Sequence, residues 1–95
     1  MMFIERIKQL RKECQLPLRK FAAALDIDSA TYWKIERGER RAKREHIPII
    51  AEILQADPKE LLTLWLADQV VAVVENDREI SDKVLDVAKQ NISKG

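Results

Sequence analysis

Between positions 37 and 44 the chain reads RGERRAKR, which sets Arg37, Arg40, Arg41, Lys43 and Arg44 close together, and Arg19 and Lys20 add a basic pair upstream. Guanidinium and ammonium groups at this density suit phosphate oxygens, which they hold through charge-assisted hydrogen bonds without reading any sequence. The same run is also compatible with an ordinary solvated loop. The net charge of +1 hides a strong asymmetry: residues 1–44 carry 12 Lys/Arg against 6 Asp/Glu, and residues 45–95 carry 5 against 10. The front half can meet a polyanion and the back half cannot. Groups that could do covalent or proton chemistry are isolated. His46 stands alone near a helix start, as a surface or capping residue. Cys14 falls on an apolar stripe and reads as core. Asp26 and Asp28 flank a turn and are accounted for by backbone capping. No glycine-rich phosphate loop and no nucleophile–base pair is visible, so the reading is not an enzyme. One Cys and one His leave no Cys/His zinc site, and neither a metal nor another cofactor is expected.

The elements that must carry these residues are helical. Two Gly and three Pro in 95 residues, with 46% apolar and 35% charged side chains, favour helices joined by short turns in an all-α fold. Phe3, Ile7, Leu10 and Cys14 recur at helical spacing, and Pro17 ends that helix or opens the next. Residues 18–25 place Leu18, Phe21, Ala22 and Leu25 on one face. Asp26-Ile27-Asp28 follows as a three-residue turn, with Asp28 suited to cap a helix over 29–37 that Gly38 terminates. The outward face of that helix comprises Ser29, Ala30, Thr31, Trp33 and Lys34. A helix from Arg44 or Glu45 buries Ile47, Ile50, Ala51 and Leu54, with Pro48 in its first turn.

Asp57-Pro58 opens a further helix over 58–75 whose leucines, valines and Trp65 cover almost its whole circumference. Such a helix must be buried on all sides, and four short helices can cover one. A last helix over 78–92 has a narrower apolar stripe. The expectation is therefore a DNA-binding unit over residues 1–57 and a helical dimerisation segment over 58–95, within one compact fold. Leu62, Trp65, Leu66, Val70, Val73, Val74, Val84 and Val87 form the expected homodimer interface. By propensity alone Val70–Val74 could also be a strand, although no partner strand is evident. There is no secretory signal pattern and no apolar run near the ~20 residues that span a bilayer, so a cytoplasmic protein is expected.

Residues 7–57 resemble the Xre/phage-repressor class of helix-turn-helix regulators, which includes the controller proteins of restriction–modification systems. The resemblance rests on Ile7-x-x-Leu10-Arg11, Leu16-x-x-x-x-Phe21-Ala22-x-x-Leu25, Ile35-Glu36-Arg37-Gly38-x-Arg40 and Ile50-Ala51-x-x-Leu54. It implies a lambda-repressor-like bundle in which Ala22 permits close helix approach, Ile27, Tyr32 and Ile35 are core, and Arg11 bridges to Glu36. It also implies that Ser29, Ala30, Thr31, Trp33 and Lys34 meet the major groove, with Lys34 able to donate to guanine and Ala30 and Trp33 able to touch a thymine methyl. Arg19, Lys20, Arg37, Arg40, Arg41, Lys43 and Arg44 would then grip phosphates. Two such heads in a homodimer would read an approximately palindromic operator in double-stranded DNA. The chain departs from the class at Leu18, where glutamine is frequent, at Pro17 in place of a serine cap, and at Asp26 in place of the turn glycine. Because members of this class can also serve as antitoxins, the apolar C-terminal half could instead bind a partner protein.

Overall fold

The computed structural model describes residues 1–94, which form six helices: α1 (Met2–Glu13), α2 (Leu18–Ala24), α3 (Ser29–Glu36), α4 (His46–Leu54), α5 (Pro58–Val74) and α6 (Ser81–Lys94). The core is built from the first five. Phe3, Ile4 and Ile7 of α1, Phe21 and Ala22 of α2, Tyr32 and Ile35 of α3, Ile47, Ile50, Ala51 and Leu54 of α4 and Leu61 of α5 are all buried. Leu25 and Ala42, outside the helices, complete it. The segment 70–74 is helical, so the strand alternative does not apply.

The helix boundaries follow from local backbone chemistry. α1, α2, α3 and α4 each stop at a residue in the left-handed region: Gln15 (φ 55°), Asp26 (φ 58°), Gly38 (φ 79°) and Gln55 (φ 52°). Each stop makes the same pair of closing bonds. At the end of α3, for example, Gly38 N–H donates to the Ile35 carbonyl at 3.0 Å and Glu39 N–H to that of Lys34 at 2.9 Å. This Schellman closure satisfies carbonyls that a helix end otherwise leaves orphaned, and it turns the chain sharply. At the starts, Asp28 accepts from Thr31 N–H at 2.6 Å and Asp57 from Lys59 N–H at 3.0 Å, with Pro58 in the first turn of α5. α1 has no acceptor at its own N-cap. Asp68 of α5 takes that role from across the fold, accepting from Met2 and Phe3 N–H at 3.0 Å each.

Two expectations are corrected. Cys14 is exposed and not core: it is the C-cap of α1 and continues the helical geometry, but the buried part of that helix stops at Ile7, so its far end is left uncovered. His46 is buried at the start of α4, where it packs with the core face of that helix; its Nδ1 has no hydrogen-bond partner among the described residues.

The C-terminal half is far less covered. Within α5 only Leu61 is fully buried, while Leu62, Leu64 and Trp65 pack partly on the core. Farther along, Leu66, Val70, Val71 and Val73 are exposed, Val73 to 76%. α6 buries no residue, and Ile80, Val84, Leu85, Val87 and Ile92 all face outward. Shape and area agree with this. A compact chain of this length has a radius of gyration of about 12 Å, whereas the observed value is 15.4 Å. A folded monomer of 11.0 kDa exposes about 5,600 Å², whereas this chain exposes 7017 Å². α5 and α6 account for the difference as an arm rich in apolar side chains.

Candidate nucleic-acid interface

α3 is the element that presents the candidate surface, and its orientation is over-determined from beneath. Tyr32, Ile35 and Glu36 point inward and are buried. The Tyr32 ring packs on Phe21 of α2 with centroids 4.9 Å apart and planes tilted by 47°, a favourable aromatic arrangement. Ala22, almost fully buried, has only a methyl group at the α2–α3 contact. Between the helices, Asp26 adopts the left-handed conformation and Ile27 N–H closes on the Ala22 carbonyl at 3.1 Å. The short polar side chain of aspartate tolerates this backbone better than most, which is how the turn forms without glycine.

A polar network fixes the helix further. Arg11 of α1 donates from Nε to Glu36 Oε1 at 2.6 Å and from Nη2 to Oε2 at 3.2 Å. Its Nη1 reaches the Leu16 carbonyl at 3.1 Å, so one guanidinium ties α1, the α1–α2 turn and α3 together. Tyr32 Oη donates to Glu36 Oε1 at 3.1 Å. The Glu36 side chain is 2% exposed and that of Arg11 14%. A carboxylate this deep is tolerable only because its oxygens are paired. The bond to Glu36 raises the Arg11 pKa, with burial opposing it. Burial, and then the charge of Glu36, push the Tyr32 phenol well above its ordinary range. At the other end of α3, the Thr31 N–H bond holds Asp28 below its ordinary value, and the charges of Lys34 and Arg40 act in the same direction.

With its inner face locked, α3 turns Ser29, Ala30, Trp33 and Lys34 to solvent, and Thr31 lies half-buried beside them. Trp33 is 50% exposed and stands among these polar and small side chains. Arg19 and Lys20 are exposed on α2, and Arg37, Arg40, Arg41, Lys43 and Arg44 are exposed after α3. Of these seven cations only Arg37 has an ion-pair partner among the described residues, Glu39 at 3.5 Å. The other six are free to accept an external anion.

Sequence reasoning missed the contacts behind this surface. Ala42 lies in the middle of the basic loop yet is 4% exposed, and its carbonyl accepts from Trp65 Nε1 at 2.9 Å. Trp65 thus points its indole N–H into its own chain, and Leu62 also packs on the core. Leu66, Val70, Val73, Val84 and Val87 are exposed, and Val74 is half-buried. No local pattern could have announced a bond between positions 23 residues apart, or the Asp68 cap at a separation of 66.

A family model of the helix-turn-helix domain matches residues 4–64, well over half the chain. The chain belongs to the helix-turn-helix domain family, a fold of DNA-binding regulators. The matched region reaches into α5 as far as Leu64, consistent with Leu61 being part of the bundle core. No curated protein and no solved structure matches the chain. Among the described residues no helix is long and apolar enough to cross a membrane.

Proposed function

We propose that this helix-turn-helix protein is a sequence-specific transcriptional regulator of the Xre/phage-repressor class, acting in the cytoplasm as a homodimer that lays α3 in the major groove of DNA. One observation carries the reading: a short helix locked from below turns Ser29, Ala30, Trp33 and Lys34 outward, bordered by six cations without acidic partners. A groove about 12 Å wide accepts such a helix, and base edges there are distinguishable. In this reading Lys34 and Trp33 read bases with Ser29, Ala30 and Thr31. Arg19, Lys20, Arg37, Arg40, Arg41, Lys43 and Arg44 position the protein on phosphates.

The homodimer rests on area. The surface in excess of a compact monomer is about 1,400 Å², more than the ~800 Å² that each partner contributes to a standard interface. Its exposed side chains include Leu66, Val70, Val73 and Val87. Two heads joined in this way would set their recognition helices ~34–36 Å apart on a roughly palindromic operator.

The test is selection of bound sequences from random duplex DNA, followed by salt titration of the best site. With six phosphates neutralised, log K against log salt should slope by about −5. Trp33→Ala and Lys34→Ala should lower specific affinity more than non-specific affinity, and Arg41→Ala should lower both alike. A flat salt response, or equal losses for all three variants on every sequence, would remove the assignment.

The exposed apolar arm also supports a second reading, an antitoxin whose α5 and α6 cover a partner protein. A dimeric mass for the purified chain alone favours the regulator. A monomer that stays soluble only with a co-expressed partner favours the antitoxin. A neighbouring methyltransferase or nuclease gene would place the protein among restriction–modification controllers.

A further inference from the structure

We infer that Trp65 is a positioning residue for the basic loop: its indole clips residues 40–44 to α5 and so sets where Arg40, Arg41, Lys43 and Arg44 stand relative to α3. The inference rests on the DNA-binding reading for its consequence, though not for its geometry.

The loop between α3 and α4 has little to hold it. Glu39 N–H closes the α3 end on Lys34, and His46 and Ile47 N–H close the start of α4 on Lys43 and Arg44. Among the described residues, the backbone of Arg40, Arg41 and Ala42 makes no backbone hydrogen bond between those two points. Four cations therefore lie on a stretch that would otherwise wander, and disorder there would carry an entropic cost each time a phosphate was gripped. Two contacts pin it, both at its midpoint. The Ala42 methyl is buried in the core, and the Ala42 carbonyl accepts from Trp65 Nε1 at 2.9 Å. With Ala42 held inward, its neighbours Arg41 and Lys43 are left exposed on either side.

The anchor itself is firm. Trp65 is half-buried and packs on the core one helical turn after Leu61, which is fully buried. One turn farther on, Asp68 caps the first residues of α1 at 3.0 Å. One face of α5 thus holds the loop and the start of α1 together. α5 is also the helix whose exposed side chains, Leu66, Val70 and Val73, belong to the proposed subunit contact. A rigid link from that helix to the phosphate-gripping loop makes the reach of the cations depend on α5 and not on α3 alone.

Trp65→Phe, which keeps an aromatic ring but removes the N–H donor, tests this. Amide exchange in the full-length protein should accelerate at residues 40–44 and stay unchanged in α1, α2 and α3. Sedimentation should give the wild-type mass. Affinity for DNA should fall roughly tenfold and the salt slope should shrink by about two, as expected if two of the four loop cations lose their phosphates. In the wild-type chain the Trp65 indole proton should exchange much more slowly than that of Trp33; this measurement decides the clip if Trp65→Phe fails to fold. Equal indole exchange rates, or a folded Trp65→Phe protein with unchanged loop exchange and an unchanged salt slope, would overturn the inference. If wild-type protein shows no salt-dependent DNA binding, the DNA reading fails on its own, and the exchange data still decide whether Trp65 holds the loop.

Discussion

Arg11→Met should be among the most damaging single substitutions outside the apolar core, and its cost can be worked from the network. The change removes two hydrogen bonds to Glu36 and one to the Leu16 carbonyl, and leaves a carboxylate that is 2% exposed with only the Tyr32 hydroxyl. Breaking a buried pair by deleting one partner costs about 3–5 kcal/mol, because the surviving charge is neither hydrated nor compensated. The whole chain is worth about 5–14 kcal/mol at typical values per residue. A loss of 3 kcal/mol should therefore lower the melting temperature by roughly 12–24 °C. Glu36→Leu should cost less: Arg11, at 14% exposed, can reach water and keeps the Leu16 carbonyl. The double variant Arg11→Met/Glu36→Leu should recover much of the loss, since apolar pairs of similar volume often replace buried ion pairs at little cost. Urea unfolding followed by circular dichroism, at one protein concentration so that association is constant, measures all four corners of the cycle. A coupling energy below about 0.5 kcal/mol, with the two single losses simply adding, would refute the reasoning.

Three further outcomes follow from the same structure. The Tyr32 phenol is held above its ordinary value of 10.0, so above about pH 10 the unfolded chain releases a proton that the fold retains. Stability should be level in this respect below about pH 10 and should fall as pH rises beyond it; Tyr32→Phe should lose this alkaline decline, and an unchanged alkaline melting profile would contradict the assignment. Gly38→Ala should cost about 1 kcal/mol from backbone strain alone, since φ is +79° and the nearest atom to an added Cβ, Met1 Cε, is at an ordinary 3.5 Å. Asp28→Ala should cost about 1 kcal/mol by freeing the Thr31 N–H, whereas Asp28→Ser should be close to neutral; equal losses for both would argue against capping.

What the residue order determined by itself was local. Apolar spacing, Asp28, Gly38 and the Asp57-Pro58 pair place the first five helices and their ends within a residue or two, because capping and left-handed turns depend on side chains only a few positions away, whereas α6, expected from residue 78, starts at Ser81. The basic character of positions 37–44 is equally legible, since charge needs no fold to exist. The left-handed stops at Gln15 and Gln55 were less visible, because glutamine does not advertise the conformation that tertiary packing selects for it. Cys14 was misplaced because helical spacing does not show how far along α1 the other helices cover it. Only the tertiary structure decided which apolar residues are covered and which polar atoms meet across the chain. His46 is buried, Asp68 caps a helix far from it in sequence, and Trp65 spends its N–H on Ala42. Each of these depends on the packing of distant helices, and hydrophobic burial, being non-directional, leaves no local mark of where those helices will meet.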